Sequence, residues 1–275
     1  MNLGIIGKGF VGNAILQGLS HYYNLKVYDI DPKKSTNTFD EVIKCDLVFL
    51  SVPTPMRKET GECDLSYVES VFEKVNQNST SCVFVIKSTV PVGTTKKLNE
   101  KYPKIKIIHS PEFLTARAAV TDFICPSRHI IGGGPENGAD KLKQIYEERF
   151  PGVPCQMMTS DESEFVKYFA NCFFATKVSY FNEMAVFARA CGLDWDKVLK
   201  GVMSDGRIGI SHYQVPGFDG DLGFGGTCFP KDLNALIKSF EKLGINPVLL
   251  KAAWQRNLEV RNEKDWERSK SAVSE

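Results

Sequence analysis

Through the first 158 residues, short apolar runs alternate with stretches of helical periodicity. The runs are Leu3–Ile6, Leu25–Tyr28, Leu47–Val52, Val83–Ile86, Ile105–Ile108 and His129–Ile131. Each is short and continuously apolar, the pattern of a strand covered on both faces. Between them, Val11–Leu19, Tyr67–Val75 and Ala139–Arg149 repeat their apolar positions as helices do. Strands alternating with helices predict an α/β fold, a doubly wound parallel sheet, over residues 1–158.

After Thr159 the pattern changes. Residues 160–191 read as one long helix, with Ser160 or Asp161 as its cap and Gly192 as its stop. Apolar residues cover much of its circumference, which predicts burial on more than one side. A shorter helix is expected over "DWDKVLKGV", then a glycine-rich loop over 206–227. Two further helices are expected over "PKDLNALIKSFEKLG" and "PVLLKAAWQRNLEVRNEKDWERS". Residues 159–275 are therefore expected to form a second, all-helical domain.

Composition narrows the function class. With 24% charged residues and a formal net charge of +1, no global field draws the chain to nucleic acid or to a membrane. No apolar run approaches the roughly 20 residues that a bilayer span needs. The chain opens directly on a strand pattern, which leaves no room for a signal peptide. Its eight cysteines form no Cys-x-x-Cys pair, a spread that fits neither a zinc site nor a secreted disulfide frame. A reduced, cytoplasmic setting without a metal centre is expected.

Candidate chemistry starts at the first turn. "LGIIGKGFVGNAILQGL" is a strand, then Gly7-x-Gly9-x-x-Gly12, then a helix. Gly7 suits the tight turn, and Gly9 admits a pyrophosphate to the backbone. Gly12 lets helix and strand pack closely, while the helix N-terminus faces the negative charge. Asp29 follows about 20 residues on, where a carboxylate accepts from ribose hydroxyls and repels a 2′-phosphate. This Rossmann-type unit predicts NAD rather than NADP, with Phe10 and Val11 inside the turn and Lys34 able to reach the adenosine side. Ligands of such sheets sit at the carboxyl ends of the strands. Pro53 and Thr54, Ser88 and Thr89, and Ser110 and Glu112 fall there. Turn chemistry would also account for each of these clusters taken singly.

Two features come from the helical part. Glu164, Lys167 and Asn171 share one face of the long helix, and a lysine and an amide amid phenylalanines need partners or a task. A surface pair of Lys167 with Glu164 is the plainer alternative. In "GFGGTCFPKD", Pro230 suits a first helical turn and puts Cys228 just before a helix N-terminus, with Lys231 close by. Both features favour a thiolate. Gly225 and Gly226 carry no side chains, so a substrate carbon has room to approach, and Asp232 lies in the first turn.

Together "GFGGTCFPKD", "STVPVGTT", "SPEFL" and "EFVKYFAN" resemble the UDP-glucose/GDP-mannose dehydrogenase family, in order and spacing over residues 1 to 265. The resemblance implies NAD-dependent, four-electron oxidation of a nucleotide sugar, UDP-glucose to UDP-glucuronate being the expected case. It implies Cys228 as nucleophile and Lys167 and Asn171 as oxyanion donors. Asp232 and Thr89 would handle water and protons, and Glu112 acyl transfer or thioester hydrolysis. Lys231 would contact the cofactor. Glu112, Phe113, Leu114, Lys167, Asn171, Arg207, Tyr213, Gly223, Phe224 and Gly225 would meet the substrate, Arg207 across a dimer interface. The apolar circumference of the long helix, residues 162–191, itself predicts a homodimer through that helix. The resemblance departs in three places. The family's third, C-terminal nucleotide-binding domain is not included, the segment from Asp29 to Leu47 is short, and Ala116 stands where a second glutamate is common. A single-step β-hydroxyacid or 6-phosphogluconate-type dehydrogenase, which needs no cysteine, is the alternative enzyme. A non-catalytic NAD-binding partner module is the alternative from another class.

Overall fold

The computed structural model describes residues 1–78 and 80–274. In chain order its elements are β1 (Asn2–Ile6), α1 (Phe10–Leu19), β2 (Asn24–Tyr28), α2 (Phe39–Val42), β3 (Leu47–Leu50), β4 (Met56–Arg57) and α3 (Ser66–Asn76). Then come β5 (Val83–Ile86), α4 (Thr94–Lys101), β6 (Lys106–His109), α5 (Ala119–Ile124), β7 (His129–Gly132), α6 (Ala139–Arg149) and β8 (Cys155–Met158). The remainder is α7 (Ser160–Ala190), α8 (Trp195–Met203), α9 (Phe229–Lys242), α10 (Val248–Val260) and β9 (Val273–Ser274).

The chain divides into two units. The first comprises residues 1–54 and 65–167 and the second residues 55–64 and 168–274. The first holds a seven-stranded sheet in the order β2-β1-β3-β5-β6-β7-β8. Its pairings are parallel except β6 with β7, which meet antiparallel at His109 and Gly132. Strand residues alternate between two cores. Leu47, Phe49, Val83 and Val85 join one core, with residues of α1, α5 and α6. Val48, Leu50, Phe84 and Ile86 join the other, with α3 and Leu98 of α4. A strand covered on both faces has no polar side to show, which explains the continuous apolar runs. Each such leucine or valine contributes about 1.5–3 kcal/mol by its burial.

The second unit is mainly helical. A core of Tyr168, Cys172, Leu233, Leu236 and Ile237 joins α7 to α9. Residues 55–64 belong here because β4 pairs in parallel with β9, Met56 opposite Val273.

Several elements differ from the expectations. β3 ends at Leu50, two residues before Val52. β8, absent from the apolar pattern because its residues are half-exposed at the sheet edge, adds a strand. The cap of α7 is Thr159, not Ser160 or Asp161. Its Oγ1 accepts from Glu162 N (3.3 Å), while Glu162 Oε2 accepts from Thr159 N (2.8 Å), a reciprocal capping box. Gly192 (φ +68°) does stop α7, with Leu193 N donating to Ala188 O and Gly192 N to Arg189 O. The last helix ends at Val260 instead of continuing through "NEKDWERS", because Arg261 turns to extended backbone and its guanidinium is buried among acids. α7 is buried on one side only. Phe169, Phe173, Tyr180 and Phe187 are 62, 56, 60 and 64% exposed along its other face. Among the described residues no helix is long and apolar enough to cross a membrane.

Candidate active site

In the first unit the glycine turn has the geometry that the spacing requires. Gly7 has φ +91°, and a Cβ there would stand 2.6 Å from Ser51 O. A Cβ on Gly12 would stand 2.0 Å from Gly7 O, so any side chain would separate helix from strand. Gly9 is the N-cap of α1, without a side-chain cap, and nothing lies within 4 Å of where its Cβ would be. An uncapped helix N-terminus behind an open glycine suits a pyrophosphate, so the residues present fit a dinucleotide. Phe10 is exposed and Val11 half-buried in the first turn. Asp29 closes β2: its Oδ2 accepts from Lys8 N (2.6 Å) and its Oδ1 from Asp31 N (2.9 Å). Lys34 stands exposed in the following turn.

At the strand ends, Pro53 is exposed and Thr54 buried, with Thr54 Oγ1 donating to Thr89 O (2.8 Å). Glu112 and Lys167 form a buried ion pair, 3.0 Å apart, with side chains 8 and 3% exposed. Glu112 Oε2 also accepts from Leu114 N (2.6 Å), which folds the Glu112–Leu114 turn onto its own carboxylate. The Phe113 ring has two cations within cation–π distance of its centre, Lys167 Nζ at 5.5 Å and the Arg128 guanidinium at 4.2 Å. A cavity of about 320 Å³ opens beside this turn, lined by Lys87, Glu112, Phe113, Leu114 and Arg128 among others.

Glu164 does not pair with Lys167. Its carboxylate accepts from Gly93 N (2.6 Å), Thr95 N (2.8 Å) and Thr95 Oγ1 (2.6 Å), capping α4 from another element. Burial nevertheless raises its pKa to about 7, against the lowering effect of those donors.

In the second unit, Cys228 is the N-cap of α9 and half-buried, with Thr227 Oγ1 3.7 Å from its Sγ. Asp232, in the first turn of α9, is fully enclosed. Its Oδ2 accepts from Asn171 Nδ2 (2.6 Å) and its Oδ1 from Lys231 Nζ. Burial acts to lower the Lys231 pKa, but the Asp232 carboxylate, with Cys228 and Cys63, outweighs it and the ammonium is strongly favoured. Helix α9 thus carries a thiol, an ammonium and a carboxylate within five consecutive residues, with the Asn171 amide of α7 bonded to the carboxylate.

The remaining predicted residues have these surroundings. Arg207 is 90% exposed and held by Asp205, Nε to Oδ1 at 2.9 Å. Tyr213 packs edge-on against Phe181. Phe224 points its ring into the core, against Phe229 and Trp254. The missing side chains of Gly223 and Gly225 are required by packing. A Cβ at Gly223 would stand 2.3 Å from Asn257 Oδ1, and one at Gly225 2.2 Å from Arg261 Nη2. Gly226 (φ +73°) is the glycine that faces open space.

Lys87 was not singled out by its sequence position. It is fully buried, and its Nζ donates to Pro111 O (3.0 Å), Ser110 Oγ (3.2 Å) and Tyr146 OH (3.2 Å). Burial lowers its pKa to about 7 although Glu112 opposes the shift. A lysine inside "FVIKSTV" was a signal, since an apolar strand end rarely tolerates one.

Residues 33–150 match the NAD binding domain of the UDP-glucose/GDP-mannose dehydrogenase family, and residues 161–259 match its central domain. UDP-glucose 6-dehydrogenase of Pseudomonas aeruginosa is 39% identical over an alignment of 224 residues that covers 77% of this chain and 48% of that protein. The Campylobacter jejuni protein of the same name is 31% identical, covering 94% of this chain and 72% of that one. A solved UDP-glucose dehydrogenase of Pyrobaculum islandicum superposes with a TM-score of 0.83 at 29% identity, over 94% of this chain and 68% of that one. The chain therefore spans from about half to about three quarters of the length of these relatives.

Proposed function

The chain belongs to the UDP-glucose/GDP-mannose dehydrogenase family and carries its NAD-binding domain, and from that we propose that it oxidises a nucleotide sugar, UDP-glucose in the first instance, to the uronic acid. The observation that carries this reading is Cys228 at the N-cap of α9, in one turn with a buried carboxylate that is bonded to both Asn171 and Lys231.

NAD, when bound, takes up the hydride removed at each of the two oxidations. The residues of the chain supply the rest. The primary alcohol loses its proton and one hydride and becomes an aldehyde. The Cys228 thiolate adds to the aldehyde carbon, forming a C–S bond and an oxyanion, and the thiohemiacetal can then give up a second hydride where a bare aldehyde cannot. The resulting thioester is cleaved by water, which releases the carboxylate and returns the thiol. Lys167 and Asn171 are the donors for the oxyanions that develop. Asp232 and Thr89 hold the water and its proton, and Glu112, already bonded to Lys167, serves the acyl transfer or the hydrolysis. Covalent holding also keeps a reactive aldehyde from escaping. A thiolate nucleophile works best in a reducing compartment, consistent with a cytoplasmic setting.

The exposed aromatic face of α7 supports a homodimer. Phe169, Phe173, Tyr180 and Phe187 recur at spacings of four, seven and seven residues on one side of the helix. A second copy covers such a stripe with its own, and the exposed Arg207 would then exchange its Asp205 partner for the substrate of the second copy. Sedimentation at micromolar concentration should show a dimer that Phe173→Ser with Phe187→Ser dissociates. A wild-type monomer sinks the dimer reading.

The activity is tested by incubation with NAD and a panel of UDP- and GDP-sugars, counting NADH and identifying the acid. Two NADH per sugar nucleotide are expected. Cys228→Ser should stop the second oxidation or the release of product. One NADH per substrate, insensitive to thiol alkylation, would instead indicate a single-step dehydrogenase.

A further inference from the structure

We propose that Asn257 and Arg261, with Asn182 and Asp265, are positioning residues that set the backbone of residues 222–226 and through it the placement of Cys228. The proposal rests on the dehydrogenase reading only for its kinetic consequence. The positioning itself is a property of the second unit.

Among the described residues no strand pairs with the segment leading to Cys228, and side chains supply its partners instead. Asn257 makes two hydrogen bonds to one residue, Oδ1 accepting from Phe224 N (2.7 Å) and Nδ2 donating to Phe224 O (3.0 Å). This is the two-bond pattern of a neighbouring strand, provided by one amide. Asn182 Oδ1 accepts from Gly223 N (3.0 Å), and Arg261 Nη1 donates to Leu222 O at 3.4 Å. Asp265 Oδ2 accepts from Gly226 N (2.9 Å). Asn182, Asn257 and Arg261 are all buried. Arg261 is itself tied down by Asp219 Oδ2 (2.7 Å), Asp265 Oδ1 (3.3 Å) and Glu263 O (2.9 Å).

These contacts leave the strap little freedom. Every backbone bond just named ends on a side chain fixed by α7 or by α10 and the turn after it. Gly223 and Gly225 are glycines because Asn257 and Arg261 occupy the space of a Cβ. Two residues beyond Gly226 stands Cys228, at the N-cap of α9, and the Phe224 ring packs against Phe229, the first residue of that helix. A displaced strap therefore moves the thiol. Misplacement of a reacting group by about 1 Å can cost on the order of 100-fold in rate.

The variant of choice is Asn257→Asp. It keeps the shape and the acceptor for Phe224 N but sets a carboxylate oxygen against Phe224 O. Arg261→Lys keeps one charge and loses the fork, and serves if Asn257→Asp does not fold. Leu250→Ala, packed on the same core without a bond to the strap, is the control for simple destabilisation. The primary measurement is the rate of Cys228 alkylation by iodoacetamide against pH, followed on the Cys228 peptide by mass spectrometry. It needs no turnover. Asn257→Asp, or Arg261→Lys in its place, should shift that profile and change the Cys228 rate at least several-fold. The other cysteines and NAD binding should stay as in the wild type. Leu250→Ala should lower the melting temperature and leave the profile unchanged. With active enzyme, kcat should fall about 100-fold in the strap variant and not in Leu250→Ala. A folded strap variant with the wild-type Cys228 profile, or a Leu250→Ala protein with the same shift, overturns the proposal. Absence of any dehydrogenase activity in the wild type would defeat the proposed function and leave the alkylation test standing.

Discussion

Asp232→Asn removes the carboxylate from a buried ion pair and keeps nearly everything else. Lys231 and Asp232 have side chains 12 and 1% exposed, so after the substitution the ammonium remains buried without its counter-charge. The Asn171 amide also loses its ionised acceptor at 2.6 Å. Breaking a buried pair from one side costs about 3–5 kcal/mol. With a urea dependence of about 2 kcal/mol per molar, the midpoint should fall by about 1.5–2.5 M. All three tryptophans, Trp195, Trp254 and Trp266, lie in the second unit, so their fluorescence follows the part of the chain that is perturbed. Adding Lys231→Met removes the orphaned charge at similar volume. The double variant should recover most of the lost midpoint yet remain without turnover, because Asp232 is assigned to the water and proton steps. A midpoint loss under about 0.5 M for Asp232→Asn would refute the premise that the pair is enclosed. So would a double variant no more stable than the single one.

Glu112→Gln should destabilise the first unit by about 3–5 kcal/mol, since Lys167 loses its buried partner at 3.0 Å; adding Lys167→Met should recover much of it in urea titrations followed by circular dichroism. Gly12→Ala should cost at least about 1–3 kcal/mol and abolish NAD binding in titration calorimetry, because its Cβ meets the immovable Gly7 carbonyl at 2.0 Å; unchanged affinity would mean that the dinucleotide is held elsewhere. Glu164 has its pKa raised by burial from 4.5 to about 7, so the stability tied to its neutral form is fully present below 4.5 and lost as pH rises through 7. That shift corresponds to about 3 kcal/mol, and Glu164→Gln should remove this part of the pH dependence; parallel wild-type and variant stability curves from pH 4.5 to 7.5 would contradict it.

Much of the first unit was determined by local pattern. A parallel strand is covered on both faces, so its apolar run is visible without knowing its neighbours, and Leu47–Leu50 and Val83–Ile86 were readable for that reason. The glycine turn was equally visible, because Gly9 and Gly12 answer to a ligand and to local sterics and Gly7 to its own left-handed φ, although the group that also excludes a Cβ at Gly7 is the distant Ser51 carbonyl. The position of Cys228 at a helix start followed from Pro230 in the same way. What the sequence could not express was long-range pairing. Nothing in residues 55–64 signals that they belong with the second unit, because a two-residue pairing of β4 with β9 has no periodicity. The partner of Lys167 was open between Glu164 on its own helix and a residue elsewhere. Tertiary structure chose Glu112, 55 positions away, and used Glu164 to cap α4. The glycines before Cys228 showed that a side chain was unwelcome and not what excluded it. At Gly223 and Gly225 the excluding groups are Asn257 and Arg261, brought there by a helix end that no local signal marked. Local conformational preference acts over a few residues and is written in order along the chain. A buried charge or an unpaired backbone amide takes whatever partner the fold brings within about 3 Å, and only the folded chain decides which that is.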